Sequence, residues 1–220
     1  MVSIITPTYK QIDKLEIIKP IIEKWNVEWT LAIDGCKQTK KWAEDNKIDY
    51  VYQDRFGRRY NEICNIAAEQ VEGDYILFIN GDSIPKRNYL ESITEEADPN
   101  RIICGLRINV DEKMKIVSSD HRLKMVKIKE SRPFKVENWE AQTSNGMLVH
   151  KDLWEKLRGF DTIYKGYGVV DQDFCMRAHY EGVENWWAPR AVLYHMHQKR
   201  LNNTKGNYEI YEERKADYSV

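Results

Sequence analysis

Over its first hundred or so residues the chain alternates between short β-branched apolar runs and longer stretches whose apolar residues recur at helical spacing. Few architectures accept that order. Residues 2–6 form a strand-like run ended by Pro7, and Leu15, Ile18, Ile21, Ile22 and Trp25 then repeat at the period of one helix face. A second run, residues 29–33, ends at Asp34-Gly35; residues 39–46 read as a helix and residues 49–52 as a third strand. Ile63, Ile66, Ala67 and Val71 share one face of a helix over residues 61–71, and residues 75–79 are an uninterrupted apolar run, the pattern of a strand covered on both faces. Pro85 reads as lying near the start of another helix, where its missing N–H costs little. This order predicts an α/β fold class, a mostly parallel central sheet flanked by helices. Such sheets bind ligands beyond the carboxyl ends of their strands, which directs attention to Thr6-Pro7-Thr8-Tyr9, Asp34-Gly35 and Asn80-Gly81-Asp82.

The second half is less regular. Residues 102–108 predict a strand, 143–150 a strand feeding a helix over 151–157, 171–180 a helix, and 185–187 and 191–195 two further strands. Gly159, Gly166 and Gly168 mark a turn-rich stretch, residues 111–140 are charged and unassigned, and the polar tail past Lys199 reads as loosely held. The length of 220 residues suits one domain, drawn as residues 1–200 in two halves (1–100 and 101–200), with a polar tail (201–220). The 34 basic and 35 acidic residues nearly cancel, which argues against general nucleic-acid binding. The basic stretch over residues 122–135 reads as a solvated loop or surface helix, with a local basic patch as the alternative. Cys36, Cys64, Cys104 and Cys175 are too far apart for a zinc knuckle and read as small core residues in a reducing compartment. Nothing at the N-terminus resembles a signal peptide, and no apolar run reaches the ~18 residues of a membrane span. The expectation is a cytoplasmic protein without an integral membrane segment, or one peripheral at a membrane surface.

Four pieces carry chemistry. Residues 75–79 deliver Asp82 to a strand's carboxyl end, where one carboxylate and a diphosphate can share Mg²⁺ or Mn²⁺; a turn with Asp82 as helix cap is the alternative. In Val170-Asp171-Gln172-Asp173, two acids open a helix after a glycine-rich loop. Asp173 reads as a cap or as the i,i+4 partner of Arg177, and Asp171 as the better general base. His195 and His197 alternate along a strand, so at most one meets the site; His195 reads as structural or as completing a metal shell begun by Asp82. Tyr9 offers a ring for stacking on a base, and Asp34 an acceptor for that base's N–H.

In this order and spacing the four pieces resemble the family 2 glycosyltransferases with the GT-A fold, a Rossmann-like single domain. The opening Val2-Ser3-Ile4-Ile5-Thr6-Pro7-Thr8-Tyr9 looks like the family's first strand and nucleotide loop, and Ala32-Ile33-Asp34-Gly35 like its second strand. Gly57, Asn65-Ile66-Ala67 and Gly73-Asp74-Tyr75 match the helix that leads to the metal-binding strand. Asn80-Gly81-Asp82 falls where the family carries Asp-x-Asp, with Asn in place of the first acid. Thr143-Ser144-Asn145-Gly146-Met147, Arg158-Gly159-Phe160-Asp161 and Gly166-Tyr167-Gly168 resemble the acceptor-side half of galactosyltransferase-like and polypeptide-GalNAc-transferase-like members. Val170-Asp171-Gln172-Asp173 lies where the family has Glu-Asp-x-Asp, with Val170 in place of the first acid, and His195 matches a histidine that some members use on the metal.

The resemblance implies transfer of a sugar from a nucleotide-sugar, by default a UDP-sugar, in an inverting reaction. It assigns Asp171 as base and Asp82 and His195 as ligands of Mn²⁺ or Mg²⁺. Thr6, Pro7, Tyr9, Asp34, Arg58, Asn80, Gly81 and Asp82 are assigned to the donor, with Arg59 the alternative to Arg58. The acceptor stays open among a glycan, a lipid-linked glycan, a protein and a modified nucleotide. Trp139, Trp154, Trp186 and Trp187 offer flat surfaces for sugar rings, although core packing is the commoner role. The rival reading is a catalytically impaired nucleotide- or glycan-binding module, favoured by the acids missing at Asn80 and Val170. A nucleotidyltransferase lacks its glycine-rich basic loop here, and a metal-dependent hydrolase lacks clustered His and Asp.

Overall fold

The computed structural model describes residues 1–54, 60–125, 131–166, 168–196 and 205–218. Its first part follows the alternation in the sequence: β1 (Val2–Thr8), α1 (Ile12–Ile22), β2 (Glu28–Asp34), α2 (Lys37–Asp45), β3 (Asp49–Gln53), α3 (Tyr60–Gln70) and β4 (Tyr75–Phe78). These strands run parallel in the order β3-β2-β1-β4. Successive residues serve opposite faces. Ile5, Ala32 and Phe78 join the core beneath α3, whereas Ile4, Leu31, Ile33 and Leu77 join the one beneath α1 and α2. Pro20 lies inside α1 near its end, where it removes a backbone donor. The helix stops two residues later, so Trp25 belongs to a single 3₁₀ turn closed by Asn26 at φ 51°.

Beyond β4 the sheet becomes mixed. The remaining elements are β5 (Ser83–Pro85), α4 (Tyr89–Thr94), β6 (Arg101–Val110), β7 (Ile116–Ser119), β8 (Phe134–Val136), β9 (Met147–His150), α5 (Lys151–Lys156), α6 (Val170–Tyr180), β10 (Glu184–Met196) and α7 (Lys205–Tyr218). The sheet continues β4-β9-β6-β10-β5, with β9 antiparallel to β4 and to β6 and β10 parallel to β6; β7 and β8 pair with β6 and β10. Because β9 runs backwards, its first residues reach the same edge of the sheet as the carboxyl ends of β1, β2 and β4.

Several expectations are corrected. Pro85 ends strand β5, and the helix expected near it, α4, begins only at Tyr89. The two short strands read over residues 185–187 and 191–195 are one strand, β10, whose register against β6 shifts between Ala188 and Val192. Arg122 is not a solvated surface cation: it is 3% exposed, bonds the buried Asp120 carboxylate, and donates from Nη1 to the Ala141 carbonyl at 3.0 Å. Residues 126–130 of the same basic stretch lie outside the described residues. The polar tail carries α7, with Tyr211 2% and Asn207 6% exposed. All four cysteines are free and buried, and burial pushes the thiols of Cys64, Cys104 and Cys175 up, that of Cys104 to about 12. No helix among the described residues is long and apolar enough to cross a membrane.

Candidate active site

A cavity of about 540 Å³ opens at the carboxyl ends of β1, β2 and β4. Pro7, Tyr9, Asp34, Asn80, Asp82, Asp171 and His195 all line it. The fold thus brings to one place residues that the sequence separates by up to 188 positions, Pro7 to His195. Thr6 and Gly81 are not among the lining residues. Thr6 is fully buried and its hydroxyl accepts from Trp29 Nε1 at 2.9 Å. Arg58, Arg59 and His197 lie outside the described residues.

Strand register seats the Asp82–His195 pair. Antiparallel pairing of β5 with β10 sets His195 opposite Ser83, and the Met196 N–H donates to the Asp82 carbonyl at 2.9 Å. Parallel pairing of β10 with β6 sets His195 beside Asn109. His195 Nδ1 lies 3.0 Å from Asn109 Oδ1, and Nε2 lies 3.5 Å from Asp82 Oδ2. With Asn109 Oδ1 as acceptor, Nδ1 is the donor, which leaves Nε2 as the ring nitrogen that faces the carboxylate. One imidazole nitrogen and one carboxylate oxygen suit a divalent cation, but no group of three His, Cys, Asp or Glu able to hold one exists among the described residues. The two therefore fit as part of a shell that a ligand's oxygens must complete.

The turn before Asp82 is held from below. The Asn80 N–H donates to Asn145 Oδ1 at 3.2 Å, and Asn145 Nδ2 donates to Ser83 Oγ at 2.8 Å. Burial pushes the Tyr60 phenol well above its ordinary range, so it stays protonated, and its hydroxyl meets Asn80 Oδ1 at 3.4 Å. Gly81 has no room for a side chain: a Cβ there would stand 2.7 Å from Gln11 Oε1 and 2.8 Å from Thr8 Oγ1. A Gly81→Ala variant is expected to lose about 1–3 kcal/mol of stability, read from the urea midpoint. An unchanged midpoint would mean that the turn relaxes freely.

Asp171 stands in the first turn of α6. The Ser144 N–H donates to its Oδ2 at 3.1 Å, so the loop that holds Asn80 through Asn145 also fixes this carboxylate. Ahead of it Val169 is at φ 61°, a left-handed conformation costing a β-branched residue roughly 1–2 kcal/mol. Two residues on, Asp173 is fully buried and accepts from the Tyr164 hydroxyl and Arg177 Nε, both at 2.8 Å, and from Arg214 Nη1 at 3.1 Å. At the far end of the cavity Gln53 Nε2 donates to Asp34 Oδ1 at 2.6 Å. None of the four tryptophans considered for sugar rings lines the cavity; its aromatic walls are Tyr9, Tyr60 and Tyr208. Trp187 is fully buried, Trp154 packs on Phe78 at 4.9 Å, and Arg101 covers Trp186 at 4.0 Å. Tyr60, Gln142 and Tyr208 escape a reading of the sequence, since none stands in a motif.

Sheet order and flanking helices are together those of the GT-A fold. The chain belongs to glycosyl transferase family 2, whose model matches residues 3–157. The solved structure of GalNAc-T7 with UDP, GalNAc and Mn²⁺ superposes with a TM-score of 0.68 at 12% identity, over 90% of this chain and 44% of that one. S. aureus TarS 1-349 in complex with UDP-GlcNAc gives 0.72 at 16% identity, over 95% and 64%. The S. aureus TarS structure gives 0.71 at 17% identity, over 95% and 38%. The chain thus spans less than two thirds of each of these proteins. A search of curated protein sequences returns no match.

Proposed function

We propose that the protein transfers a sugar from a nucleotide-sugar, by default a UDP-sugar, to an acceptor hydroxyl with inversion at the anomeric carbon. The observation that carries this reading is that Tyr9 and Asp34, the Asp82–His195 pair and Asp171 line one cavity. The ring of Tyr9 stacks on the base, and Asp34 accepts from a base N–H. The Asn80 side chain hydrogen-bonds the ribose. Asp171, steadied by the Ser144 N–H, takes the proton of the acceptor hydroxyl while that oxygen attacks the anomeric carbon. The bond from that carbon to the diphosphate breaks, and its electron pair leaves with the diphosphate. Asp82 and His195 would hold Mn²⁺ or Mg²⁺, which when bound offsets the charge gathering on the leaving group. The structures of GalNAc-T7 with UDP and Mn²⁺ and of TarS with UDP-GlcNAc support this choice of donor and metal.

Calorimetric titration with UDP, with and without Mn²⁺, tests the donor site. Mn²⁺ is expected to tighten UDP binding by about tenfold or more, roughly 1.4 kcal/mol or above, and Asp82→Ala to lose that gain. Equal UDP affinity with and without Mn²⁺, unchanged in Asp82→Ala, would remove Asp82 from the metal site. No UDP binding at all would turn the search to GDP- and dTDP-sugars.

A further inference from the structure

One wall of the cavity comes from α7, beyond the stretch that matches the family model. The helix is pinned by polar contacts on several sides. Asn207 Oδ1 accepts from the Lys165 N–H at 3.0 Å, and its Nδ2 donates to the Lys165 carbonyl at 3.0 Å and the Gly168 carbonyl at 3.5 Å. The Tyr211 hydroxyl accepts from Trp139 Nε1 at 3.1 Å, and Lys215 Nζ donates to Glu140 Oε1 at 2.6 Å. The residue after Asn207 is Tyr208, which lines the cavity while 47% exposed.

Its surroundings suggest what it meets. Gln172, next to Asp171, lines the same cavity, and its side-chain amide makes no hydrogen bond to a described residue. Gln142 also lines it and is 2% exposed; its Nε2 donates to the Trp186 carbonyl at 3.3 Å, but its Oε1 has no partner among the described residues. A buried acceptor without a partner is costly, and a ligand hydroxyl relieves it once the side chain turns toward the cavity that Gln142 lines. A flat apolar face that lines one cavity with amides that have hydrogen-bonding capacity to spare complements a pyranose, whose C–H face is apolar and whose rim is hydroxyl.

We propose that Tyr208, Gln172 and Gln142 form the acceptor subsite and that it takes a pyranose ring, so that the acceptor is a carbohydrate. This rests on the transfer reaction proposed above. A ring stacked on Tyr208 and hydrogen-bonded by Gln172 offers a hydroxyl to the neighbouring Asp171.

The test is saturation-transfer NMR on the full chain with UDP present. The probes are the methyl pyranosides of glucose, galactose and N-acetylglucosamine. Ring C–H protons of at least one probe are expected to receive saturation. Tyr208→Ala should weaken that probe by about three- to tenfold, and Tyr208→Phe should retain it, because the ring and not the hydroxyl makes the contact. The half-exposed position lets Tyr208→Ala fold, which its melting curve checks. Saturation undiminished in Tyr208→Ala, or absent for every probe with the wild-type protein, would overturn the proposal. UDP titration of the same samples reports on the donor site alone, so the two readings fail separately.

Discussion

An Asp171→Asn variant is expected to lose transfer by roughly 10²–10⁴-fold while keeping UDP affinity within about twofold. Asn has the shape of Asp and retains an oxygen for the Ser144 N–H, which now reaches Asp171 Oδ2 at 3.1 Å. What it loses is the ability to take a proton, together with the second acceptor, Oδ1, which the Gln172 N–H meets at 3.2 Å. Slow hydrolysis of a UDP-sugar, with water as acceptor, measures this before the natural acceptor is known. Equal hydrolysis by wild type and variant would end the base assignment, and lost UDP binding in a well-folded variant would show a role in holding the donor instead. A wild-type protein that binds UDP but turns over no donor would favour the impaired binding module. Two features favour that reading: Asn80 occupies an acidic position of the family pattern, and Val170 is 6% exposed, an apolar wall where the pattern has an acid.

The second large effect is on stability. Asp173→Ala is expected to cost about 3–5 kcal/mol, a large part of the ~5–15 kcal/mol that holds a domain folded. The carboxylate is fully buried and serves three donors at once. Burial and the Asp173 charge push the Tyr164 phenol up, so without Asp173 a protonated hydroxyl is left in the core with nothing to receive it. Arg214 keeps Asp161 at 2.7 Å, and Arg177 keeps the Gly159 carbonyl at 2.8 Å, so the guanidinium groups are not stranded entirely. Urea unfolding followed by circular dichroism reads the loss, and one below about 1 kcal/mol would mean that the network behaves as a surface pair. Asp173→Asn, which still accepts two of the bonds, should fall between.

The parallel half of the sheet was legible because its strands and helices are told apart by apolar period alone. The mixed half was not, for reasons that differ by element. Periodicity carries no direction, so nothing in Met147-Leu148-Val149 says that β9 runs against β4. The register shift between Ala188 and Val192 looks in sequence like the gap between two strands. Helix α7 shows no apolar stripe because, among its described residues, only Ile210 and Tyr211 pack on the core, and the rest of its hold comes from Asn207, Arg214 and Lys215, polar residues that read as solvated. Of the site, Asp34, Asp82, Asp171 and His195 stood out as polar groups at strand and helix ends. Gln142 and Tyr208 gain meaning only once distant segments meet.

The mixed sheet gathers the cavity-lining residues at one of its edges. The opposite edge, where residues 26–28, 46–49, 71–75, 98–101 and 181–184 turn, contributes none of them. The two edges stand a strand's length apart, roughly 20 Å. Gly182, in the last of these turns, has open space around it, but its φ of 81° strains any other residue, so an attachment belongs in one of the neighbouring turns. Reaction and attachment are thus separable in this scaffold. A second module spliced into that far edge would ride on the rigid strands and leave the cavity as it is, and a fluorescent reporter placed there would travel with the protein without touching its chemistry.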